Sequence, residues 1–215
     1  MTVRNKRKMV GIPRGVISRL PVYYRYLSGL SQAQEKISSA ELGKALNMTA
    51  AQIRSDLSYF GSFGLHGYGY RVDQLKQAIA EILGMDRTYH MILIGAGNLG
   101  RALASYRNFR LRGFIIGAIF DNDPAIIGQE LSGIPIKSID DLEDYLHANT
   151  CDIAVICTPR EVSQAICDRL VAAGVKAIWN FSPIHLRVPD DVVVEHMHLT
   201  DSLLQLSFQL RQRSR

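Results

Sequence analysis

Residues 91–100 are Met-Ile-Leu-Ile-Gly-Ala-Gly-Asn-Leu-Gly, an apolar run that ends in three glycines spaced G-x-G-x-x-G. The run predicts a buried strand, and the residues that follow predict a helix after a tight turn. In such a turn Gly95 permits the change of direction, Gly97 lets the backbone approach a pyrophosphate, and Gly100 lets the helix pack closely on the strand. Phosphates would face the helix N–H groups. The predicted dinucleotide contacts are therefore Gly95, Ala96, Gly97, Asn98, Leu99 and Gly100.

A second apolar segment, 114–120, is followed by Asp121. A carboxylate about 20 residues beyond the glycines can accept hydrogen bonds from the adenosine ribose. It favours NAD(H) over NADP(H), because a 2′-phosphate would meet like charge. An alternative is a glycine-rich turn whose nucleotide site is empty or takes another ligand, such as coenzyme A.

Strand and helix patterns alternate from residue 88 onward, and the apolar strands lack polar alternation. This predicts an α/β fold, a Rossmann-type doubly wound parallel sheet with helices on both faces. Ligand groups of such sheets collect at the strand carboxyl ends, which adds Thr158 and Pro159 to the cofactor site. His185, His196 and His198 look scattered, and no carboxylate at an evident spacing indicates a general base.

Charge is distributed unevenly along the chain. Residues 1–87 contain 13 Lys and Arg against 6 Asp and Glu, whereas residues 88–215 contain 12 against 14, in agreement with the net charge of +5. The N-terminal excess predicts a polyanionic partner. The basic run within residues 1–10 could equally be a solvated arm.

Residues 1–85 predict a helix interrupted or bent at Pro21, two short helices, a glycine-rich hairpin over 61–69 and a closing helix. Capping sequences begin the short helices at Ser38 and Thr49. The second short helix carries small polar groups opposite its apolar face, which suits a major groove. A winged-helix DNA-binding domain is the prediction, and a small all-α packing module is the alternative. The predicted DNA contacts are Arg14, Arg54, Ser55, Ser58, Tyr59 and, in the wing, His66.

The C-terminal residues 199–210 predict a helix with an apolar stripe formed by Leu199, Leu203, Leu206 and Leu210. Such a helix needs a partner surface, in its own subunit or in another. Three cysteines without C-x-x-C spacing argue against a disulfide framework and a zinc site, so no metal is expected. The sequence shows no signal peptide and no membrane span, which predicts a cytoplasmic protein without a membrane partner.

These motifs together resemble the Rex family of bacterial redox-sensing transcriptional repressors from residue 12 to about residue 210. The matching segments are RLPVYYRYL at 19–27, IRSDLSYFG at 53–61, GYGY at 67–70, GAGNLG at 95–100, FD at 120–121 and NFSP at 180–183. The resemblance implies a homodimer with a winged helix at 1–85, a Rossmann domain at 88–198 and a helix at 199–215 exchanged between subunits. It also implies binding to double-stranded operator DNA, with NADH and NAD⁺ as cofactors and release by NADH. The competing function is an NAD-dependent oxidoreductase with a basic N-terminal appendage.

The resemblance also implies a switch formed by Arg19, by Tyr106 on the first Rossmann helix and by position 198. The family aspartate that pairs with the arginine aligns with His198, so a smaller contrast between NADH and NAD⁺ is expected. Basic residues of the family are replaced by Ser55 and, at the wing tip, by Leu65 and His66. Fewer cations predict fewer phosphate contacts.

Overall fold

The computed structural model describes residues 12–31, 33–60, 64–65 and 69–213. The chain divides into two compact units, Met1–Arg87 and Thr88–Arg215. His66 and the basic run at 1–10 lie outside the described residues, so their predicted contacts stay predictions.

The first unit consists of short helices and a small antiparallel sheet. Its elements are α1 (Arg14–Ser28), β1 (Lys36–Ile37), α2 (Ser39–Leu46), α3 (Ala50–Ser58), β2 (Gly64–Leu65), β3 (Gly69–Arg71) and α4 (Val72–Ile82). The strands lie in the order β1-β3-β2, and β2 and β3 form the predicted hairpin, with Leu65 opposite Gly69. β1, which the sequence did not predict, adds a third strand and buries Ile37 in the core.

The caps of α2 and α3 differ. Ser38 forms a complete capping box, since its hydroxyl accepts from Glu41 N–H while Glu41 accepts from Ser38 N–H. Thr49 likewise accepts from the backbone N–H of Gln52. The Gln52 side chain, however, donates to Asp56, one turn further on, rather than back to the backbone of Thr49. α1 continues through Pro21 without the predicted restart, because this exposed residue removes only one backbone donor from a helix held by a buried face.

The second unit is a mixed α/β domain. Its elements are β4 (Tyr89–Ile94), α5 (Asn98–Ala104), α6 (Asn108–Leu111), β5 (Phe114–Asp121), β6 (Glu130–Leu131), β7 (Ile134–Ser138), a 3₁₀ turn (Ile139–Asp141), α7 (Leu142–Ala148), β8 (Ile153–Ile156), α8 (Arg160–Ala172), β9 (Ala177–Asn180), β10 (Val193–His196) and α9 (Leu199–Arg213). The sheet order is β10-β9-β8-β4-β5-β7-β6, and its strands are parallel except for the antiparallel pair of β6 and β7. β4 thus lies at the topological switch point of a doubly wound sheet.

Both faces of β4 are buried, which explains its continuous apolar run. Ile92 and Ile94 belong to the core under α7 and α8, whereas Met91 and Leu93 belong to a second core under α5 and α6. Alternate side chains of a strand point to opposite faces, so a sheet covered on both sides needs no polar position.

α9 packs differently from the other helices. Each of its described side chains is exposed, including the apolar Leu203 and Phe208, both at 63 %. The helix therefore does not close its own domain. Of the two arrangements compatible with the sequence, packing on another subunit remains. None of the described helices is long and apolar enough to span a membrane.

Candidate cofactor and nucleic-acid sites

The three glycines after β4 occupy positions with different steric demands. Gly95 has φ +99°, and a Cβ there would lie 2.6 Å from the carbonyl oxygen of Cys157. A Cβ on Gly100 would collide with the Gly95 carbonyl. A Cβ on Gly97 would meet no atom within 4 Å. Gly95 and Gly100 thus serve the turn and the helix contact, whereas Gly97 leaves open space for a ligand.

Asp121 is fixed at the end of β5 beside the glycine turn. Its Oδ2 accepts from Ala96 N–H at 2.6 Å, and its Oδ1 accepts from the N–H groups of Asn122 and Asp123 at 2.8 and 3.0 Å. A carboxylate has about four lone-pair sites, and three accept from these N–H groups, so one is left for a ribose hydroxyl. The carboxylate is thereby oriented before any ligand arrives.

A cavity of about 670 Å³ opens at the carboxyl ends of β4, β5 and β8. Its lining includes five of the predicted cofactor residues: Gly95, Gly97, Asp121, Thr158 and Pro159. The other predicted glycine-turn residues, Ala96, Asn98, Leu99 and Gly100, do not line it. Its volume lies within the 300 to 1,000 Å³ usual for small-molecule sites.

The wall of the cavity beyond Asp121 is formed by residues that the sequence did not indicate. Ile139, Val162 and Ile166 provide apolar surface there, and Arg169 lies at the edge. The Arg169 guanidinium donates two hydrogen bonds of 2.6 Å to Glu143 and one of 2.8 Å to the carbonyl of Ile139. The hydrogen bonds between Arg169 and Glu143 raise the pKa of Arg169 and lower that of the Glu143 carboxyl. No motif marks this pair, because its members come from α7 and α8.

Tyr106 lies apart from this cavity. α5 ends at Ala104 with Ser105 as its cap, so Tyr106 is in the turn before α6 and not on the first Rossmann helix as predicted. It is half exposed, stacks edge-on against Phe109 at 4.9 Å and lines a separate cavity of about 500 Å³. Its predicted cofactor and switch roles therefore stay predictions.

The three cysteines are poor candidates for a thiol sensor. Burial raises the pKa of Cys157, which lines the cavity, to about 12, and that of Cys151 and Cys167 to about 11. Such thiols stay protonated at neutral pH.

α3 presents the predicted polar face to solvent. Arg54, Ser55, Ser58 and Tyr59 are all exposed, while Ile53 and Leu57 are buried. Arg54 donates to the Ser39 hydroxyl at 3.1 Å, and Ser58 donates to the Ser55 carbonyl. Arg14 begins α1 and is exposed as well. The exposed face of α3 thus carries small polar side chains beside an arginine and a tyrosine.

Asp56 lies on the inner side of α3 and is fully buried, which the sequence did not reveal. It accepts from Arg19, Tyr23 and Gln52. Burial raises the pKa of its carboxyl, but these hydrogen bonds outweigh burial and lower it. Arg19, predicted to face His198, is thus already paired within its own unit.

The histidines that look scattered in the sequence form a cluster. The ring centroid of His185 lies 4.4 Å from His196 and 6.1 Å from His198, and the latter two are 6.2 Å apart. The parallel pairing of β9 with β10 places Asn180 opposite His196 and brings their carboxyl ends together. Among the described residues, no group of three or more His, Cys, Asp or Glu side chains is arranged to hold a metal ion.

A winged-helix unit followed by a Rossmann-type unit with an open nucleotide-sized cavity defines the structural class. The family described as "CoA binding domain" matches residues 86–184, and that described as "Putative DNA-binding protein N-terminus" matches residues 11–58. The redox-sensing transcriptional repressor Rex of Thermoanaerobacter pseudethanolicus is 47% identical over 206 residues, 95% of this chain and 92% of its own length. The chain therefore belongs to the Rex family of redox-sensing transcriptional repressors.

Crystal structures of RSP, a Rex-family repressor, are similar to this chain over 94% to 95% of its length. RSP in complex with β-NAD⁺ and operator DNA superposes with a TM-score of 0.89 at 46% identity, covering 94% of each chain. RSP in complex with β-NADH gives a TM-score of 0.88 at 43% identity, covering 95% of this chain and 97% of that one.

Proposed function

We propose that this chain is a repressor that binds operator DNA through its winged-helix unit and leaves it when NADH occupies the cavity beside Gly97. The observation that carries the proposal is the Asp121 carboxylate, held beside the open Gly97 turn in a chain of the Rex family. RSP binds NAD⁺ together with operator DNA, and it also binds NADH. Release follows if NADH binds the form that fits DNA poorly.

The cofactor is NAD(H) and not NADP(H). Asp121 Oδ2 is 2.6 Å from Ala96 N–H, which keeps the negative charge next to the position of the ribose. A 2′-phosphate would bring like charge to this partly buried carboxylate. The cofactor contacts are Gly95, Gly97, Asp121, Thr158 and Pro159, with Ala96, Asn98, Leu99 and Gly100 shaping the turn.

The protein acts as a homodimer through the exposed stripe of α9. The sheet face that includes Ile153, Trp179 and Val193 lines an almost wholly apolar hollow of about 360 Å³. A contiguous apolar surface of this kind marks an interaction site. α9 of a second copy supplies the matching apolar stripe, and a two-fold dimer then presents two copies of α3 to the half-sites of an operator.

The function is regulatory and involves no catalysis. The named relatives are repressors, and Asp121 and Thr158, two of the polar groups of the cavity wall, suit binding of a ribose and phosphates.

The experiment is a binding titration of the full chain with duplex DNA selected from random sequences. Binding should be sequence-dependent and weaken with salt, because Lys and Arg contacts release counterions from the phosphates. NADH should lower the affinity at least tenfold, which requires about 1.4 kcal/mol of coupling, and NAD⁺ should lower it less. Affinity that is insensitive to NADH would leave a constitutive DNA-binding protein, and turnover of NADH with a carbonyl substrate would favour the oxidoreductase.

A further inference from the structure

A buried polar network leads from the cofactor cavity to the histidine cluster. Thr158 lines the cavity, and its hydroxyl lies 2.9 Å from that of Ser163. The hydroxyls of Ser163 and Ser182 are 2.7 Å apart, and Ser182 N–H donates to Asn180 Oδ1 at 3.0 Å. Ser163, Ser182 and Asn180 are all buried. The network ends where Asn180 Nδ2 lies 3.1 Å from Nδ1 of His196.

The orientation of the Asn180 amide is determined by backbone groups. Its Oδ1 accepts from Ser182 N–H, and its Nδ2 faces the carbonyls of Ile184 at 2.9 Å and Ser182 at 3.2 Å. The two hydrogens of Nδ2 thus serve three acceptors, and one of them lies between the Ser182 carbonyl and Nδ1 of His196. A protonated imidazole carries hydrogens on both ring nitrogens, so only neutral His196 can accept this bond.

The surroundings of His196 oppose its protonation. Burial, His185 and His198 lower the pKa of His196 in that order, and Glu195 raises it. The charged and titratable groups that act on the ring are thus two imidazoles and one carboxylate, and β9 contributes the neutral Asn180. A proton on Nδ1 of His196 would face the Asn180 N–H with a second donor, which pushes Asn180 away, strains its bond to Ser182 N–H and disturbs the chain to Thr158.

We propose that His196, flanked by His185 and His198, is a proton-binding switch that is linked to the cofactor cavity through Asn180, Ser182, Ser163 and Thr158. The proposal rests on the proposed function, since it concerns how NADH binds. Neutral His196 keeps the cavity wall ordered, so NADH binds the deprotonated form more tightly. By linkage, NADH binding releases a proton in the pH range where His196 titrates.

The test measures the Kd of the full chain for NADH between pH 5.5 and 8.0, with proton release followed calorimetrically in buffers of different ionisation enthalpy. The expected result is a Kd about tenfold higher at the acid end. In the variant His196→Gln the Kd should vary little with pH, whereas the exposed control His90→Gln should follow the native profile. His185→Gln removes one of the groups that lower the pKa of His196 and should move the midpoint to higher pH.

The variant Ser163→Ala tests whether the protonation of His196 acts on NADH binding through the polar network. It interrupts the network between the cavity and Asn180, so the Kd should lose its pH dependence while His196 still titrates by NMR. A native Kd independent of pH, or an unchanged profile in His196→Gln, would overturn the switch and leave the proposed function intact. Absence of NADH binding at every pH would overturn both.

Discussion

Asp56 of α3 accepts two hydrogen bonds from the Arg19 guanidinium of α1, at 2.6 and 2.7 Å. Tyr23 adds a third at 2.5 Å, and Gln52 adds a fourth at 2.7 Å. A buried carboxylate is tolerated only when its lone pairs are satisfied. This ion pair therefore fixes the helix that carries the proposed DNA-reading surface to the first helix of its unit.

Asp56→Asn should destabilise the first unit by about 2 kcal/mol, because the buried position loses its charge-assisted hydrogen bonds, while the partly exposed Arg19 can still reach water. Hydrogen exchange of the α1 and α3 amides measures the loss locally. Asp73→Asn, at an exposed position in the first turn of α4, is the control. Equal protection in Asp56→Asn and Asp73→Asn would show that the Arg19 pair contributes little.

The Asp56 carboxyl should also make the stability of the first unit depend on pH. Its pKa is lowered from the ordinary value of 3.8, so its stabilisation is present above about pH 4. It is lost as the pH falls through the lower pKa of the folded state. The difference in stability between the native chain and Asp56→Asn should consequently shrink on acidification below pH 4. A difference that is constant from pH 6 to pH 2 would contradict this.

Substitution by alanine should affect NADH binding at Gly97 and stability at Gly100. Gly97→Ala has room for its Cβ and should leave the melting temperature nearly unchanged, but the methyl group enters the space of the pyrophosphate. Its NADH affinity should fall at least tenfold, about 1.4 kcal/mol. Gly100→Ala collides with the Gly95 carbonyl and should cost about 2 kcal/mol of stability. Tight NADH binding by Gly97→Ala would place the pyrophosphate elsewhere.

The exposed face of α3 predicts two opposite changes in DNA binding. Arg54→Ala should weaken operator binding and flatten its dependence on salt, whereas Ser55→Lys should strengthen binding and steepen the logarithmic salt slope by about 0.9 per added phosphate contact. Arg187→Ala changes the same charge at an exposed site in the other unit and serves as control. If Arg54→Ala and Arg187→Ala weaken binding equally, α3 is not the DNA-reading element.

His198→Asp should enlarge the difference between NADH and NAD⁺ in their effect on operator affinity. An aspartate would offer Arg19 a second carboxylate besides Asp56, whereas a protonated histidine repels the guanidinium and a neutral one offers a single acceptor nitrogen. Operator binding at saturating NADH and at saturating NAD⁺ provides the ratio, with the exposed His147→Asp as control. An unchanged ratio in His198→Asp would remove this position from the switch.

The stripe of α9 should be required for dimerisation. Leu203→Glu places a charge at the centre of the stripe, while Gln205→Glu places it on the polar side of the same helix. Sedimentation at micromolar concentration should show monomers for the first variant and dimers for the second. The monomeric variant should also bind a palindromic operator much more weakly, since it engages one half-site at a time.

Features that depend on neighbouring residues followed from the sequence alone. The spacing of Gly95, Gly97 and Gly100 predicted the turn after β4, and Ser38 with Glu41 predicted a cap that the structure confirms. Local sterics and backbone hydrogen bonding determine these elements within a few residues. The continuous apolar run of β4 likewise predicted a strand covered on both faces.

Features that depend on strand order and helix packing were decided only by the tertiary structure. In the sequence Asp56 is one of several polar residues of α3. Its burial depends on α1, which packs Arg19 and Tyr23 against it. His185 and His196 look unrelated until β9 and β10 pair side by side. Such contacts join residues far apart in the chain, and local periodicity carries no information about which distant side chains will share one buried volume.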